Sequence, residues 1–257
     1  MSARGGAPTA VAIAAGGDPV VWHDAENGAF AADLELFERL ASARPGGVAD
    51  LGAGTGRVTL ALAAAGHPVT AVDTDVALLD ALADRARARD LAVATARCDV
   101  RALDLGRRFP LIVAPMQLLH IVGGEAGRRR TLAGVRSHLA PGGRFCAVVL
   151  AEPLPTGVGR PDPVPDVREV AGWIHSSLPV EVRIDADGIR MVRSRQLVAP
   201  DGALTEARHV IELDRFSLAE LDRDADAAGL WVVGCERLPS TLAYEDSVAV
   251  LMEARDG

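Results

Sequence analysis

The sequence predicts an α/β protein built on a doubly wound, Rossmann-like sheet, and three observations lead to this fold class. An apolar run that begins at Val48 is followed by a glycine-rich turn and a helical pattern, and a second apolar run at 69–73 ends on an acid. Apolar runs then alternate with helical patterns as far as residue 150. Two last apolar runs follow at 230–235 and 247–252. Alternating strands and helices are typical of a sheet covered by helices on both faces.

The turn after the first strand contains Gly52, Gly54 and Gly56. Because glycine has no Cβ atom, the backbone can turn sharply here and approach a ligand closely. The following helix presents free N–H groups and the positive end of its dipole. Asp73 lies 21 residues after Gly52, at the end of the second strand, where an acid can accept hydrogen bonds from ribose hydroxyls. The unit therefore predicts a nucleoside-binding site.

Two phosphate-binding motifs do not fit this turn. In a dinucleotide fingerprint, G-x-G-x-x-G counted from Gly52, the third glycine is replaced by Arg57. A P-loop ends in G-K-[ST], and the sequence contains no lysine, since all 27 basic residues are arginine. An NAD-dependent oxidoreductase is therefore the weaker hypothesis, and a Schiff-base mechanism is excluded.

The segment D-L-G-A-G-T-G-R, from Asp50 to Arg57, resembles motif I of the class I S-adenosylmethionine-dependent methyltransferases. R-C-D-V at 97–100 is similar to the family's segment after its third strand, and H-L-A-P-G-G-R-F at 138–145 is similar to its approach to the fifth strand. The resemblance covers residues 48–150. It implies a seven-stranded sheet with an antiparallel last strand, S-adenosyl-L-methionine as the cofactor and S-adenosyl-L-homocysteine as the product.

The resemblance also implies which residues bind the cofactor. The acid that the family places on the ribose matches Asp73, and the positions that meet the adenine match Asp99 and Val100. Asp50 is predicted to contact the cofactor, and its alternative role is to orient the backbone of the loop. Trp22 is predicted to attract the sulfonium with its ring, and its alternative role is to pack the N-terminal helix. The complete predicted set is Trp22, Asp50, Gly52, Ala53, Gly54, Asp73, Thr74, Asp99, Val100, Pro115 and Met116.

Two histidines are candidate general bases. Methyl transfer from a sulfonium is an in-line displacement, so the protein aligns the reactants and removes a proton where the nucleophile carries one. His120 follows the fourth strand, whose loop faces the methyl group in this family, and imidazole titrates near neutrality. His23 lies in the segment expected to close over the site. A structural His120 and an exposed His23 are the alternatives. The six histidines show no metal-ligand spacing, so no metal is predicted.

The expected organisation is a mobile tail followed by a single methyltransferase domain at 18–257. The tail covers residues 1–17. An N-terminal lid helix is predicted at 18–47 and a cofactor-binding core at 48–150. A loop with an antiparallel β-hairpin insert over the acceptor site follows at 151–215, and a closing helix with strands at 216–257.

Polar residues near the predicted acceptor site permit several roles. Trp173 and His175, at a possible helix start in the insert, could line the acceptor pocket. Arg193 and Arg195 share one strand face, which we expect to be solvated, with an acidic acceptor or a subunit contact as alternatives. Glu26 is expected to bind the amino-acid end of the cofactor or to pair with the arginine of the glycine turn.

Composition limits the partners. The net charge of −8 argues against a sequence-independent hold on nucleic acid. Three widely spaced cysteines predict a reducing compartment, and no apolar run reaches the length of a membrane span, so a cytoplasmic protein without a membrane partner is expected. We predict a small-molecule acceptor, in secondary metabolism, with methylation at N, O or C, and a possible homodimer. A protein that binds the cofactor without methylating, as an enzyme or a regulator, is the other alternative.

Overall fold

The computed structural model describes residues 17–151, 156–159, 164–186, 188–238, 240 and 246–255. They form two compact units. Unit 1 combines the described parts of Met1–Ala29, Gly157–Arg183 and Arg190–Ile211, and unit 2 combines those of Phe30–Thr156, Ile184–Ile189 and Glu212–Gly257. The predicted tail lies outside the described residues except for Gly17, and the predicted domain boundaries remain predictions.

In chain order, the described helices and strands are α1 (Pro19–Asn27), α2 (Leu34–Ser42), β1 (Val48–Leu51), α3 (Arg57–Ala64), β2 (Val69–Asp73), α4 (Val76–Arg87), β3 (Val93–Arg97), β4 (Phe109–Ala114), α5 (Gly124–His138), β5 (Leu139–Leu150), β6 (Gly157–Gly159), β7 (Asp166–Val170), β8 (Trp173–Ile184), β9 (Gly188–Val198), β10 (Leu204–Asp214), α6 (Leu218–Ala227), β11 (Leu230–Leu238) and β12 (Ser247–Ala254). Short 3-10 turns follow β3 at Val100–Ala102 and β4 at Leu118–His120.

Unit 2 contains a seven-stranded sheet in the order β11-β12-β5-β4-β1-β2-β3. The five strands from β1 to β5 are parallel to their neighbours among themselves, whereas β12 is antiparallel to both β5 and β11. The prediction of a Rossmann-like, doubly wound sheet with an antiparallel last strand is confirmed. The strand order reverses between β1 and β4, and doubly wound sheets bind ligands outside the carboxyl ends of the strands at such a point.

Two apolar layers pack on the two faces of this sheet, because successive strand residues point to opposite sides. On β5, Phe145 and Ala147 pack in one layer with α5 and α6, while Cys146 and Val148 pack in the other with α2 and α3. All four of these side chains are fully buried. A strand that is buried on both faces has apolar side chains at successive positions, which explains the continuous apolar run in the sequence.

Unit 1 contains a second sheet in the order β10-β9-β8-β6, with β7 paired antiparallel to β8. Tight turns join β8 to β9 and β9 to β10, so the predicted antiparallel insert is confirmed and is larger than one hairpin. The predicted helix start at Trp173 and His175 is wrong. Both residues lie on β8, where Ile174 is exposed and His175 is buried, as expected for a strand with one covered face.

Candidate active site

The glycine turn after β1 leaves its backbone open to a ligand. Gly52 and Gly54 have φ angles of +69° and +53°, a region that L side chains rarely adopt. A Cβ atom on Gly52 would lie 3.0 Å from Leu118 Cδ1, in the loop after β4, which is a tight contact that the leucine side chain would have to relieve by shifting. Gly52 is exposed, whereas Ala53 is buried and its N–H donates to Val72 O at 3.0 Å. The turn is therefore fixed by the neighbouring strand and is accessible at Gly52.

Asp73, at the end of β2, is held by the same turn. Its Oδ2 accepts the Gly54 N–H at 2.8 Å and its Oδ1 accepts the Asp75 N–H at 3.0 Å. The side chain is only half-buried, and the neighbouring Thr74 is exposed. Each carboxylate oxygen has a second lone pair, so Asp73 can accept hydrogen bonds from two ribose hydroxyls without losing its backbone contacts.

Asp50 is the buried acid of the site, with no exposed surface. Its Oδ2 accepts the Thr59 hydroxyl at 2.6 Å, but its Oδ1 has no hydrogen-bond partner in the described part of the chain. Burial raises the pKa of this carboxyl to about 7, against the opposing effects of Thr59 and Arg57. Asp50 lies on β1, two residues before Gly52, and a buried oxygen without a partner calls for a hydrogen-bond donor.

Asp99 follows β3 and begins the 3-10 turn that contains Val100. It accepts the Arg101 N–H at 2.9 Å and forms an ion pair with the Arg101 guanidinium at 2.6 Å. The hydrogen bonds from Arg101 lower the pKa of Asp99 to about 2, so it is a carboxylate at any physiological pH. It is partly exposed, while Val100 is buried beside it. This pair suits an exocyclic amino group and the flat ring next to it.

The loop after β4 is strained. Met116 and Gln117 have φ angles of +50° and +55°, although neither is glycine. Pro115 is buried before them, and Gln117 Nε2 donates to Ser247 Oγ at 3.1 Å. Two successive left-handed residues are costly and often occur at functional sites. The sequence predicted Pro115 and Met116 as site residues but contained no signal for Gln117.

Arg57, the first residue of α3, is bound within unit 2. Its guanidinium donates to both carboxylate oxygens of Asp33 at 2.5 and 2.8 Å and to the Phe30 carbonyl at 2.9 Å. Asp33 is fully buried. The expected pairing of this arginine with Glu26 is therefore wrong, because a closer acid satisfies it.

His120 is fixed by backbone groups. Its side chain is 1% exposed, its Nδ1 lies 2.7 Å from the Asp214 carbonyl, and its Nε2 accepts the Leu150 N–H at 3.2 Å. Its ring also stacks on Phe216 at 4.2 Å. Burial lowers the pKa of His120 to about 4. Both nitrogens are thus used in a neutral ring. This geometry favours the structural alternative, and the role of His120 as a general base stays a prediction.

In unit 1, the charged side chains bind one another. Glu26 forms hydrogen bonds to Arg195 at 2.6 and 2.7 Å and to the Ser177 hydroxyl at 2.6 Å. Arg193 is buried, donates to Ser177 Oγ at 2.8 Å and pairs with Asp166. The expected solvated face is therefore wrong, and Glu26 binds arginine within its own unit. The sequence contained no local pattern that predicts these ion pairs, because the partners lie far apart in sequence.

Trp22 and His23 both lie on α1 in unit 1, whereas the other predicted cofactor residues belong to unit 2. Trp22 is buried, with the Arg195 guanidinium 5.2 Å from its ring centroid. This supports the packing role for Trp22. His23 is half-buried, and its predicted role as a base remains a prediction, as does any contact of Trp22 with the cofactor.

The described residues contain neither a metal-binding cluster nor a membrane-spanning helix. No cluster of three or more His, Cys, Asp or Glu side chains there could hold a metal ion. None of the helices in the described part of the chain is both long and apolar enough to cross a membrane.

Comparison with known proteins agrees with this geometry. Residues 48–143 match the family model of a methyltransferase domain, and no curated protein matches the sequence. Similar solved structures include the CcbJ methyltransferase from Streptomyces caelestis, with 25% identity, a TM-score of 0.66 and coverage of 93% of this chain and 92% of that one. The sugar N-methyltransferase KedS8 from a Streptoalloteichus species has 21% identity and a TM-score of 0.71 over 97% and 96% of the two chains. The amino pentose methyltransferase CalS10 from Micromonospora echinaspora has 22% identity and a TM-score of 0.66 over 97% and 99%. With its motif, its sheet and the matched region, the chain contains a methyltransferase domain and is similar to the class I S-adenosylmethionine-dependent methyltransferases.

Proposed function

We propose that the protein transfers a methyl group from S-adenosylmethionine to an amino group of a small, sugar-like acceptor in secondary metabolism. The single observation that supports the cofactor is the glycine turn, exposed at Gly52, with Asp73 and Asp99 at the ends of neighbouring strands. The acceptor class is supported by the similarity to KedS8, a sugar N-methyltransferase, and to CalS10, an amino pentose methyltransferase.

In this proposal each residue of unit 2 has a binding task. The turn at Gly52 and Gly54 receives the amino-acid end of the cofactor, with Asp50 beneath it. Asp73 accepts the ribose hydroxyls, and Asp99 accepts the adenine amino group. Bound S-adenosylmethionine supplies an electrophilic methyl group, and the loop at Pro115 and Met116 borders it. The protein contributes alignment and exclusion of water rather than covalent chemistry.

The acceptor chemistry explains why no buried histidine is needed as a base. An uncharged amine attacks with its own lone pair and loses its proton after the methyl group has arrived. The geometry of His120 is compatible with that order, because both of its ring nitrogens already form hydrogen bonds with the backbone. A hydroxyl acceptor would need a base, and His23 then remains the candidate.

Two further properties follow from the sequence and belong to the proposal. The net charge of −8 supports a small acceptor instead of nucleic acid. Three widely spaced cysteines support a cytoplasmic location, and a homodimer is compatible with the fold.

The test uses S-adenosylmethionine carrying a trideuterated methyl group with a panel of methyl glycosides of amino hexoses and amino pentoses. Mass spectrometry should show the labelled methyl group on one or more glycosides, and calorimetry should show binding of S-adenosylhomocysteine. Stabilisation by NADH with none by S-adenosylhomocysteine would identify an oxidoreductase instead. Cofactor binding without label transfer to any small molecule would favour a non-methylating protein.

A further inference from the structure

The edge strands of the two described sheets differ in how well they are protected from pairing with another chain. β3 and β7 have five residues each, and β6 has three. β11 has nine residues, but its pairing with β12 is irregular between Val232 and Gly234. Short strands and bulges both protect an edge. β10, by contrast, is an edge strand of 11 residues, Leu204–Asp214, without proline or glycine.

The outer edge of β10 is open to solvent. β9 is its only neighbour among the described strands. All five residues of Leu204–Arg208 are exposed. Two of the exposed side chains on β10 are large and apolar, since Leu204 is 59% exposed and Val210 is 41% exposed. An edge strand presents a row of N–H and C=O groups that can pair with a further strand, so this edge has the properties of a docking surface.

The tight turn between β9 and β10 indicates which backbone groups of β10 face the open edge. The Ala199 N–H donates to Ala203 O at 2.8 Å, so the backbone groups of Ala203 point towards β9. Backbone groups alternate in direction along a strand, so those of Ala207 also point towards β9. Those of Glu206 and Arg208 then point outwards. An antiparallel partner strand would therefore form its hydrogen bonds with the even-numbered residues of β10.

The exposed sequence of β10 is complementary to itself about Ala207. If a second copy of β10 runs antiparallel with a two-fold axis at Ala207, Glu206 lies opposite Arg208 of the partner subunit. Symmetry repeats this ion pair, and Leu204 lies opposite Val210 of the partner subunit in the same way. These even-numbered side chains share one face of the strand. The pairing thus has two ion pairs near its centre and an apolar pair at each end.

The neighbouring registers of such a pair oppose like charges. An axis at Glu206 places two carboxylates opposite each other, and an axis at Arg208 places two guanidinium groups opposite each other. Like charges directly opposite destabilise a strand pair. Glu206 is also fixed on its face, because it accepts the Ser194 hydroxyl at 2.8 Å, and its carboxylate keeps lone pairs for an arginine. Charge therefore favours the register centred on Ala207 over both of its neighbours.

We propose that β10 is a homodimer interface, in which two copies of the chain pair their β10 strands antiparallel about a two-fold axis at Ala207. A second copy is the partner that the strand fits, because its charges and apolar residues complement themselves. The inference goes beyond methyl transfer, and it depends on neither the cofactor nor the acceptor. Its test therefore measures association and contains no methylation assay.

The first test measures the dimer dissociation constant by sedimentation equilibrium. One strand pair is a small interface, so we expect a wild-type Kd of about 1–100 µM. Glu206→Arg and Arg208→Glu each oppose like charges twice in the dimer, and each should raise the Kd by about 10-fold or more. The double variant Glu206→Arg/Arg208→Glu restores opposite charges and should recover most of the affinity. The control Glu38→Arg makes the same charge change on exposed α2 and should leave the Kd unchanged.

The second test fixes the register with a disulfide. In the proposed dimer the two Ala207 residues form a non-hydrogen-bonded pair with Cα atoms about 4.5 Å apart, which a disulfide can span. With Cys98 and Cys235 replaced by serine, Ala207→Cys should give a covalent dimer on mild oxidation. Ala203→Cys is the control, because this exposed residue would lie roughly 27 Å from its counterpart and should not cross-link.

The opposite results would overturn the inference. A wild-type protein that is monomeric at about 100 µM has no such dimer. A dimer whose Kd is unchanged by Glu206→Arg, or that cross-links through Ala203→Cys and not through Ala207→Cys, uses another surface or register. Because Glu206 also binds Ser194, the Tm of each variant is measured as well. A double variant that associates as weakly as the single variants would assign Glu206 a role within its own sheet and reject the interface.

Discussion

Asp73 of unit 2 and Glu26 of unit 1 are held in different ways. At the carboxyl ends of the unit 2 strands, Asp73 is partly accessible and is fixed by backbone N–H groups. In unit 1, Glu26 is nearly buried and is fixed by arginine side chains. A carboxylate held by backbone retains lone pairs for a ligand, whereas one enclosed by arginines mainly contributes charge balance. We therefore expect substitution of Asp73 to weaken cofactor binding and substitution of Glu26 to weaken folding.

The largest expected effect is on stability, from Glu26→Gln. This change leaves Arg195 and Arg193 without their shared anion in a buried setting, and breaking one side of a buried ion pair typically costs about 3–5 kcal/mol. Unfolding in urea can be followed by tryptophan fluorescence, since Trp22 and Trp173 both lie in unit 1. Affinity for S-adenosylhomocysteine should be retained within about two-fold at low denaturant, because that site belongs to unit 2.

The matched control is Glu236→Gln, which breaks the exposed pair with Arg39. Exposed ion pairs contribute about 0–1 kcal/mol, so this variant should unfold almost as the wild type does. If Glu26→Gln also lost less than about 1 kcal/mol, the unit 1 network would be no more important than a surface pair.

The contrast between the units also explains what could be predicted from the sequence. Gly52, Gly54 and Asp73 lie within one strand–turn–helix–strand segment, so local spacing predicted their fold and position. Glu26 and Arg195 are 169 residues apart, and His120 is fixed by a carbonyl 94 residues away. No local pattern contains such partners, so the solvated arginine face and the catalytic His120 were predicted from residue type alone. The positive φ of Gln117 likewise depends on tertiary packing.

The next largest effect is a loss of cofactor affinity, which we expect from Asp73→Asn. The amide can still accept one backbone hydrogen bond but loses the charge and one acceptor oxygen that the ribose needs. Hydrogen bonds to charged groups contribute about 1.5–3 kcal/mol, so the Kd for S-adenosylhomocysteine should rise roughly 10- to 150-fold. Calorimetry measures this directly.

Asp75→Ala is the control for Asp73, two residues away. Asp75 caps α4 by accepting the Ala77 and Leu78 N–H groups, and loss of such a cap costs about 1 kcal/mol of stability. Its cofactor Kd should stay close to the wild-type value. Equal losses of affinity in the two variants would mean that Asp73 acts through the fold and not on the ribose.

The third effect is a dependence of stability on pH, and its sign differs between two buried groups of unit 2. The pKa of His120 falls to about 4 on folding, so the unfolded chain binds more protons between pH 6.5 and 4. Stability from this group is complete above pH 6.5 and is lost as pH falls towards 4, by up to about 3 kcal/mol. Asp50 has the opposite sign, because its raised pKa makes the folded state bind the extra proton below about 7.

The variant His120→Phe isolates the histidine contribution. It should lose about 1–3 kcal/mol at pH 7.5, from two broken backbone hydrogen bonds, and show a smaller loss than the wild type between pH 6.5 and 4. Its kcat should remain within about five-fold, provided the protein is folded. A loss of kcat beyond about 100-fold in a folded variant would restore His120 as the general base.

The smallest expected effect is that of Arg101→Ala, at the adenine end of the site. Arg101 holds Asp99 through an ion pair whose members are both well exposed, and exposed pairs contribute little. Its removal lets the pKa of Asp99 rise from about 2 towards the ordinary range, which still leaves a carboxylate at pH 7. The Kd for S-adenosylhomocysteine should therefore change by less than about three-fold in calorimetry at pH 7, whereas Asp99→Ala should raise it by about 10-fold. A large loss in Arg101→Ala would show that Asp99 depends on its arginine, as Glu26 does in unit 1, and the contrast between the two units would no longer hold at this end of the site.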